Sequence, residues 1–241
     1  MFTGIVQGVA TVAQLTDQPG LRSFTLAFEP GFSTGLAIGA SVSVDGVCLT
    51  VTGLLDGDAA RFDVMQQSLA LTTLGGLARG SRINVERAAR DGAEIGGHPL
   101  SGHIDFRARV EQVRQPQNNR VLRIAVPAPW MRYVFAKGYI AVNGASLTVA
   151  EAHRAPDGSG WFEVWLIPET LRMTTFVDKA EGALLNIEIE RGTQVFVDTV
   201  RDAVDERLGE LKPLLEALLR DKGLSLDDLA RPAAGLLPPP R

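Results

Sequence analysis

One stretch of this chain occurs twice, and the repetition limits what the chain can fold into more than any other feature. Gly39-Ala-Ser-Val-Ser-Val-Asp-Gly-Val-Cys-Leu-Thr-Val51 is answered by Lys137-Gly-Tyr-Ile-Ala-Val-Asn-Gly-Ala-Ser-Leu-Thr-Val149. In each copy apolar residues alternate (Val42, Val44; Ile140, Val142) up to an Asp-Gly or Asn-Gly pair, and a β-branched run follows. Asp-Gly and Asn-Gly supply the positive φ angles of a type I′ turn, so each copy reads as a β-hairpin. Cys48 of the first copy is replaced by Ser146 in the second.

The hairpins belong to a longer repeat. Residues 2–12 align with 100–110, 24–28 with 122–126, 62–74 with 162–176 and 83–86 with 185–188, in the same order. Each half therefore forms a domain, 1–97 and 98–192, of about six short alternating strands separated by Gly, Pro, Asp and Asn. That spacing argues for a small antiparallel barrel in each half. One short helix per half is expected; Pro168 sits at a plausible first helical position in the second. Gly96-Gly-His-Pro99 interrupts any strand and marks the boundary.

From Thr193 the apolar period becomes helical: Val197, Val200, Val204, Leu208, Leu211, Leu215 and Leu218 fall three and four apart. With both barrels closed, this seam over 193–222 is expected to face the same helix of another subunit. Pro213 is expected to kink or break it, and Gly223 to end it. Ser225 would cap one more turn, and 223–241, ending in Pro-Pro-Pro-Arg, reads as an extended or disordered tail.

Composition excludes several roles. Net charge is −4, so no basic excess recruits nucleic acid. Cys48 is the single cysteine, which rules out a disulfide within the chain and fits a reducing cytoplasm. No apolar run reaches the roughly 18 residues of a membrane span, and Met-Phe-Thr-Gly-Ile-Val lacks the marks of a signal peptide, so the fold is expected to begin at Met1.

Met-Phe-Thr-Gly-Ile-Val, Asp-Gly-Val-Cys-Leu-Thr-Val, Gly-Gly-His-Pro-Leu-Ser-Gly-His, Gly-Ala-Ser-Leu-Thr-Val and Leu-Ile-Pro-Glu-Thr-Leu together resemble the riboflavin synthase family of alpha-chain type, over residues 1–208. The resemblance implies an all-β fold: two homologous six-stranded Greek-key barrels in tandem, with a C-terminal helix that holds a homotrimer. It implies dismutation of two 6,7-dimethyl-8-ribityllumazine molecules into riboflavin and 5-amino-6-ribitylaminouracil, with no metal or redox cofactor. It also implies that the N-terminal barrel of one subunit faces the C-terminal barrel of a neighbour, each holding one lumazine.

Carried over position by position, the resemblance assigns to the first-barrel pocket Gly4, Ile5 and Val6, then Cys48, Leu49 and Thr50, with Asp63, Val64, Met65, Gln66, Gln67 and Ser68. It assigns to the second Gly102, His103 and Ile104, then Ser146, Leu147 and Thr148, with Leu166, Ile167, Pro168, Glu169 and Thr170. Phe2, Cys48, His103, Ser146 and Glu190 are the implied catalytic set, and Lys137 a positioning residue. Each also has an ordinary reading. Phe2 could fill core, Cys48 could be a small buried hydrophobe and Ser146 a sheet hydroxyl. Lys137 could simply be solvated. His98 and His103 are poor metal ligands, having no third partner in sequence. His98 reads as structural, in the inter-barrel turn, and His153 as a loop residue.

Three departures from the family pattern bear on turnover. Glu190 stands where the family has aspartate, Gln67-Ser68-Leu69 replaces Glu-Thr-Leu, and Ala70 occupies a commonly charged position. A displacement of about 1 Å at a reacting group can cost on the order of a hundredfold in rate. Two other classes fit less well. A non-catalytic lumazine or flavin carrier tends to keep only one good pocket. A flavin-reductase barrel would need an Arg-x-Tyr-Ser/Thr motif and a nucleotide-binding domain.

Overall fold

The computed structural model describes residues 1–221. Residues 1–193 make one compact unit. It holds β1 (Gly8–Gln18), β2 (Leu21–Ala27), β3 (Ser41–Val44), β4 (Val47–Leu55), β5 (Ala59–Met65), α1 (Gln66–Leu71) and β6 (Arg82–Arg87). The second half repeats this with β7 (Phe106–Arg114), β8 (Arg120–Val126), an additional short α2 (Ala128–Met131), β9 (Tyr139–Val142), β10 (Ala145–Arg154), β11 (Gly160–Leu166), α3 (Pro168–Met173) and β12 (Leu184–Ile189). The strands close two antiparallel barrels, in the orders β1-β2-β5-β4-β3-β6 and β7-β8-β11-β10-β9-β12. Consecutive β3, β4 and β5 followed by β2 at the far side make each a Greek key.

Alternation closes the barrels. In β5 Ala60, Phe62 and Val64 are buried, whereas Arg61, Asp63 and Met65 are exposed. Phe162, Val164 and Leu166 fill the second barrel in the same way. Bulges fall at matching places, after Val12 and Val51 in the first half and after Val110 and Val149 in the second. A bulge bends its strand, which a barrel this small requires.

The barrels meet through their two repeated turns, back to back. A Cβ on Gly46 would lie 2.8 Å from the Gly144 nitrogen, and one on Gly144 would lie 2.9 Å from the Gly46 nitrogen. Asp45 and Asn143 hold positive φ beside them, at 44° and 45°. Asn84 donates from Nδ2 to the Asn143 carbonyl at 3.0 Å, and its Oδ1 accepts from Thr175 N at 2.8 Å. Asn186 returns the pattern to the Asp45 carbonyl and Thr73 N, at 2.9 and 2.8 Å. These amides satisfy buried backbone groups that would otherwise count heavily against the junction.

Asp45 is the costly member of this junction. Its Oδ1 accepts from Asn84 N at 2.8 Å. Burial nonetheless pushes its pKa up to about 6, against the opposing pull of Lys179 and that N–H. Asn143 fills the matching place without charge, and its Nδ2 has no partner among the described residues.

The helix α4 (Arg191–Asp221) runs through Pro213 without ending there, so of the kink or break expected at that position the helix shows no break. Val200, Val204, Leu208, Leu211, Leu214, Leu215 and Leu218 carry exposed apolar side chains along it. The expected break at Gly223, the Ser225 cap and the tail 223–241 lie outside the described residues. Among the described residues no helix is long and apolar enough to cross a membrane.

The raised Asp45 pKa has a definite sign. The folded state favours the neutral acid, so its contribution is full below the ordinary value of 3.8 and is lost as pH rises to about 6. At pH 7 the penalty is about 3 kcal/mol. Asp45→Asn is therefore expected to stabilise the fold at pH 7 by up to about 3 kcal/mol, and much less near pH 4. Urea denaturation of both forms at the two pH values checks this; an equal gain at both would assign the effect to packing instead.

Candidate functional site

Each site is built from a strand-entry segment of one half and the hairpin of the other. Phe2 and Leu100 form an isolated antiparallel bridge, with N–H to carbonyl distances of 2.8 and 3.0 Å. Beyond it the two segments cross. The Ser146 N–H donates to the Gly4 carbonyl, and the Cys48 N–H to the Gly102 carbonyl, both at 2.8 Å. Gly4 and Gly102 hold φ of 76° and 79°, and a Cβ on either would sit 2.5 Å from the Ser146 Cβ or 2.6 Å from the Cys48 Cβ. Glycine is required on both counts.

This crossing corrects the grouping that the resemblance implied. Gly4, Ile5 and Val6 do not join Cys48, Leu49 and Thr50. They meet Ser146 and Leu147 of the second barrel, and Gly102, His103 and Ile104 come to the Cys48 hairpin of the first. Ile104 packs on the first barrel's core and touches the Gly46 turn. Two buried carboxylates fix the segments. Glu86 accepts from the Thr3 N–H and hydroxyl at 2.6 and 2.7 Å and from Gly4 N at 3.1 Å. Glu188 accepts from Ser101 N–H and hydroxyl at 2.7 Å each and from Gly102 N at 3.0 Å. Burial raises both pKa values in spite of these donors.

A cavity of about 320 Å³ opens where the first segment meets the second hairpin. Gly4, Ile5, Val6, Ser146, Leu147, Glu169 and Thr170 line it, as do Ala145, Met173 and Thr174, which the sequence reading did not single out. Met173 and Thr174 lie four residues beyond Glu169 and Thr170. Helical spacing from Pro168 onward is the signal that would have found them. Glu169 is paired with Arg172 at 2.6 and 2.9 Å, which holds its carboxyl below the ordinary range. In the first half Gln66 and Ala70 line a smaller cavity of about 280 Å³ with Arg22 and Arg107.

Other expected site residues fall elsewhere. Leu49, Val64 and Leu166 are buried in the barrels, because strand alternation turns them inward. Phe2 is wholly buried and packs with Leu100, Ala141 and Cys48. Thr50, Met65, Gln67, Thr148, Ile167 and Pro168 are exposed, and Ser68 is half-buried. The Asp63 carboxylate accepts from Ser23 Oγ at 2.6 Å. His103 is exposed, as is Lys137, which stands at φ 69° in the turn into β9. Glu190 is half-buried and accepts from the Thr193 hydroxyl at 2.7 Å at the start of α4.

His98, read from sequence as structural, lies at the second site. Its Nδ1 is 2.6 Å from Ser146 Oγ, and its ring stacks on Tyr139 at 5.3 Å. Burial lowers its pKa, against the opposing field of Glu190. Gly97 admits this approach: a Cβ there would meet the Thr3 carbonyl oxygen at 2.4 Å and the Ser146 Cβ at 2.6 Å. Among the described residues no three His, Cys, Asp or Glu side chains gather to hold a metal.

Paired strand-entry segments and hairpins, one pair per barrel, define a protein with two similar binding places. The lumazine binding domain model matches both halves, over residues 3–88 and 101–190. The riboflavin synthase of Escherichia coli K12 is 43% identical over 208 residues, 86% of this chain and 95% of that protein. The riboflavin synthase of Chlamydia pneumoniae is 40% identical over 201 residues, 83% and 96% of the two chains. LumP, solved with 6,7-dimethyl-8-(1'-D-ribityl) lumazine, shares the fold with a TM-score of 0.69 at 22% identity, over 79% of this chain and all of that one. The chain belongs to the riboflavin synthase family and is an enzyme of that family.

The crossing is testable by its reach. Gly4→Ala forces a Cβ onto Ser146 at positive φ and should destabilise the fold by more than about 1 kcal/mol. Amide NMR shifts should move most at Ser146, Leu147 and Thr170, and little at Leu49 and Thr50. The opposite distribution would restore the grouping within one half.

Proposed function

We propose that this chain dismutates two molecules of 6,7-dimethyl-8-ribityllumazine, passing a four-carbon unit from one to the other. The products are riboflavin and 5-amino-6-ribitylaminouracil. Atoms balance across this exchange with no external oxidant or reductant, and the reading includes no metal or redox cofactor. The observation that carries it is the crossed pair of segments, Gly4 on Ser146 and Gly102 on Cys48. A reaction between two identical molecules needs two similar pockets, and the repeat supplies them with the same backbone geometry. Holding both partners in a fixed stack removes translational and rotational freedom, which is worth up to about 7–11 kcal/mol of barrier in well-oriented systems.

In this reading Ser146, Leu147, Val6 and Thr170 hold one lumazine, with Glu169 facing ribityl hydroxyls. Cys48, Gly102, Ile104 and Gln66 hold the other, with Asp63 and Gln67 at its ribityl end, and Lys137 is a positioning residue. His103, exposed beyond Gly102, reaches toward the neighbouring pocket. The first barrel of one subunit faces the second barrel of another in a homotrimer, and the apolar face of α4 is the surface that assembles it. Glu190, which accepts from the Thr193 hydroxyl, is the catalytic carboxylate of this reading. A cytoplasmic setting suits the lone Cys48 thiol.

Purified protein incubated with the lumazine alone should form riboflavin, with two lumazines consumed for each one made. Ser146→Ala should lower turnover by at least about tenfold and weaken lumazine binding by up to about tenfold. Tight binding without any product would mark a carrier. Truncation after Gly192 should yield monomers by light scattering and abolish turnover; a trimer that survives it would remove α4 from assembly.

A further inference from the structure

His98 is 3% exposed, and its two ring nitrogens have unequal surroundings. Nδ1 lies 2.6 Å from Ser146 Oγ, whereas Nε2 is buried with no hydrogen-bond partner among the described residues. A neutral imidazole carries one proton. Placed on Nε2, that proton would leave a buried N–H without an acceptor. Placed on Nδ1, it leaves only a bare lone pair, the lesser loss. The imidazolium form combines an orphaned N–H with a buried charge, so it is the worst of the three.

The groups facing the ring agree. Tyr139 stacks on it, Ser146 meets Nδ1, and Glu190 exerts the charge that favours protonation. Burial outweighs Glu190 and lowers the pKa, so the ring stays neutral near pH 7. With Nδ1–H donating to Oγ, the serine hydroxyl proton must point away from His98. Ser146 lines the 320 Å³ cavity, which is where an acceptor would meet it.

We infer that His98 is a positioning residue that fixes Ser146 as a hydrogen-bond donor to an acceptor on the pteridine ring, in place of a nucleophile or a general base. The inference rests on the reading that the second-barrel cavity holds a lumazine. An oriented hydroxyl strengthens its bond as negative charge builds on the ring, and it needs no reorganisation at that moment. The repeat places Cys48 at the matching position, and a thiol is a much weaker donor. The two pockets therefore differ in their capacity to stabilise a pteridine anion, and the second is the stronger.

The chain has three histidines, so long-range proton–nitrogen NMR on the full-length protein can assign His98 with the aid of His98→Asn. The Nδ1–H tautomer is expected, unchanged between about pH 7 and 8. An Nε2–H tautomer or an imidazolium in that range overturns the proposal. The second arm compares His98→Asn, whose amide N–H replaces Nδ1–H, with His98→Ala. His98→Ala should weaken lumazine binding and slow turnover about tenfold, the loss of one directed hydrogen bond. His98→Asn should recover most of both and leave the pH profile of turnover unmoved. Asparagine as slow as alanine with undiminished affinity would make His98 a base and refute the assignment. Wild-type protein that binds no lumazine would sink the functional reading, while the tautomer measurement would still decide the role of His98.

Discussion

Two backbone hydrogen bonds, Ser146 N–H to the Gly4 carbonyl and Cys48 N–H to the Gly102 carbonyl, underlie the rest of the unit. Each ties the entrance of one half to the hairpin of the other. A bond of this kind requires main chain to approach main chain, and only glycine at Gly4 and Gly102 lets the segments come so close at positive φ. Each barrel closes through its own strand pairs, whereas each segment-and-hairpin contact joins the two halves.

The crossing demands a polar junction, and the chain answers with matched groups. Glu86 and Glu188 each take three donors from the segment that crosses. Asn84 and Asn186 each bridge to the opposite turn and to the threonine beyond α3 or α1. Such fully engaged groups give orientation more than stability, since their desolvation offsets much of what the bonds contribute. The symmetry is incomplete where Asp45 meets Asn143 and where Cys48 answers Ser146. The first difference costs the fold stability at neutral pH. In the proposed reading the second gives the two pockets unlike donors, as a reaction between identical molecules in unlike roles demands.

Reading by periodicity succeeded where one physical rule acts locally. Alternating Val42, Val44, Phe62 and Val64, with Asp-Gly and Asn-Gly turns, specified strands and hairpins before any contact was known. At Pro213 the helix continues although the proline removes a helical N–H and crowds the Gly209 carbonyl. The family resemblance sent Leu49, Val64 and Leu166 to the site, although their own alternation turns them into the barrels. His98 was read as structural because nothing in its neighbourhood along the chain names Ser146, far away in sequence.

The sequence by itself determined two like halves, the strands of each, the hairpins at their centres and an amphipathic helix after them. Those follow from turn chemistry and side-chain period, which act over a few residues. Only the tertiary structure decided that the segments cross, that Gly4 serves Ser146 and Gly102 serves Cys48, and that His98 lies against the serine. A repeat fixes what each half contains but not which half completes which site. That choice is made by backbone bonds between residues about 140 and 50 positions apart, formed only once both barrels stand together.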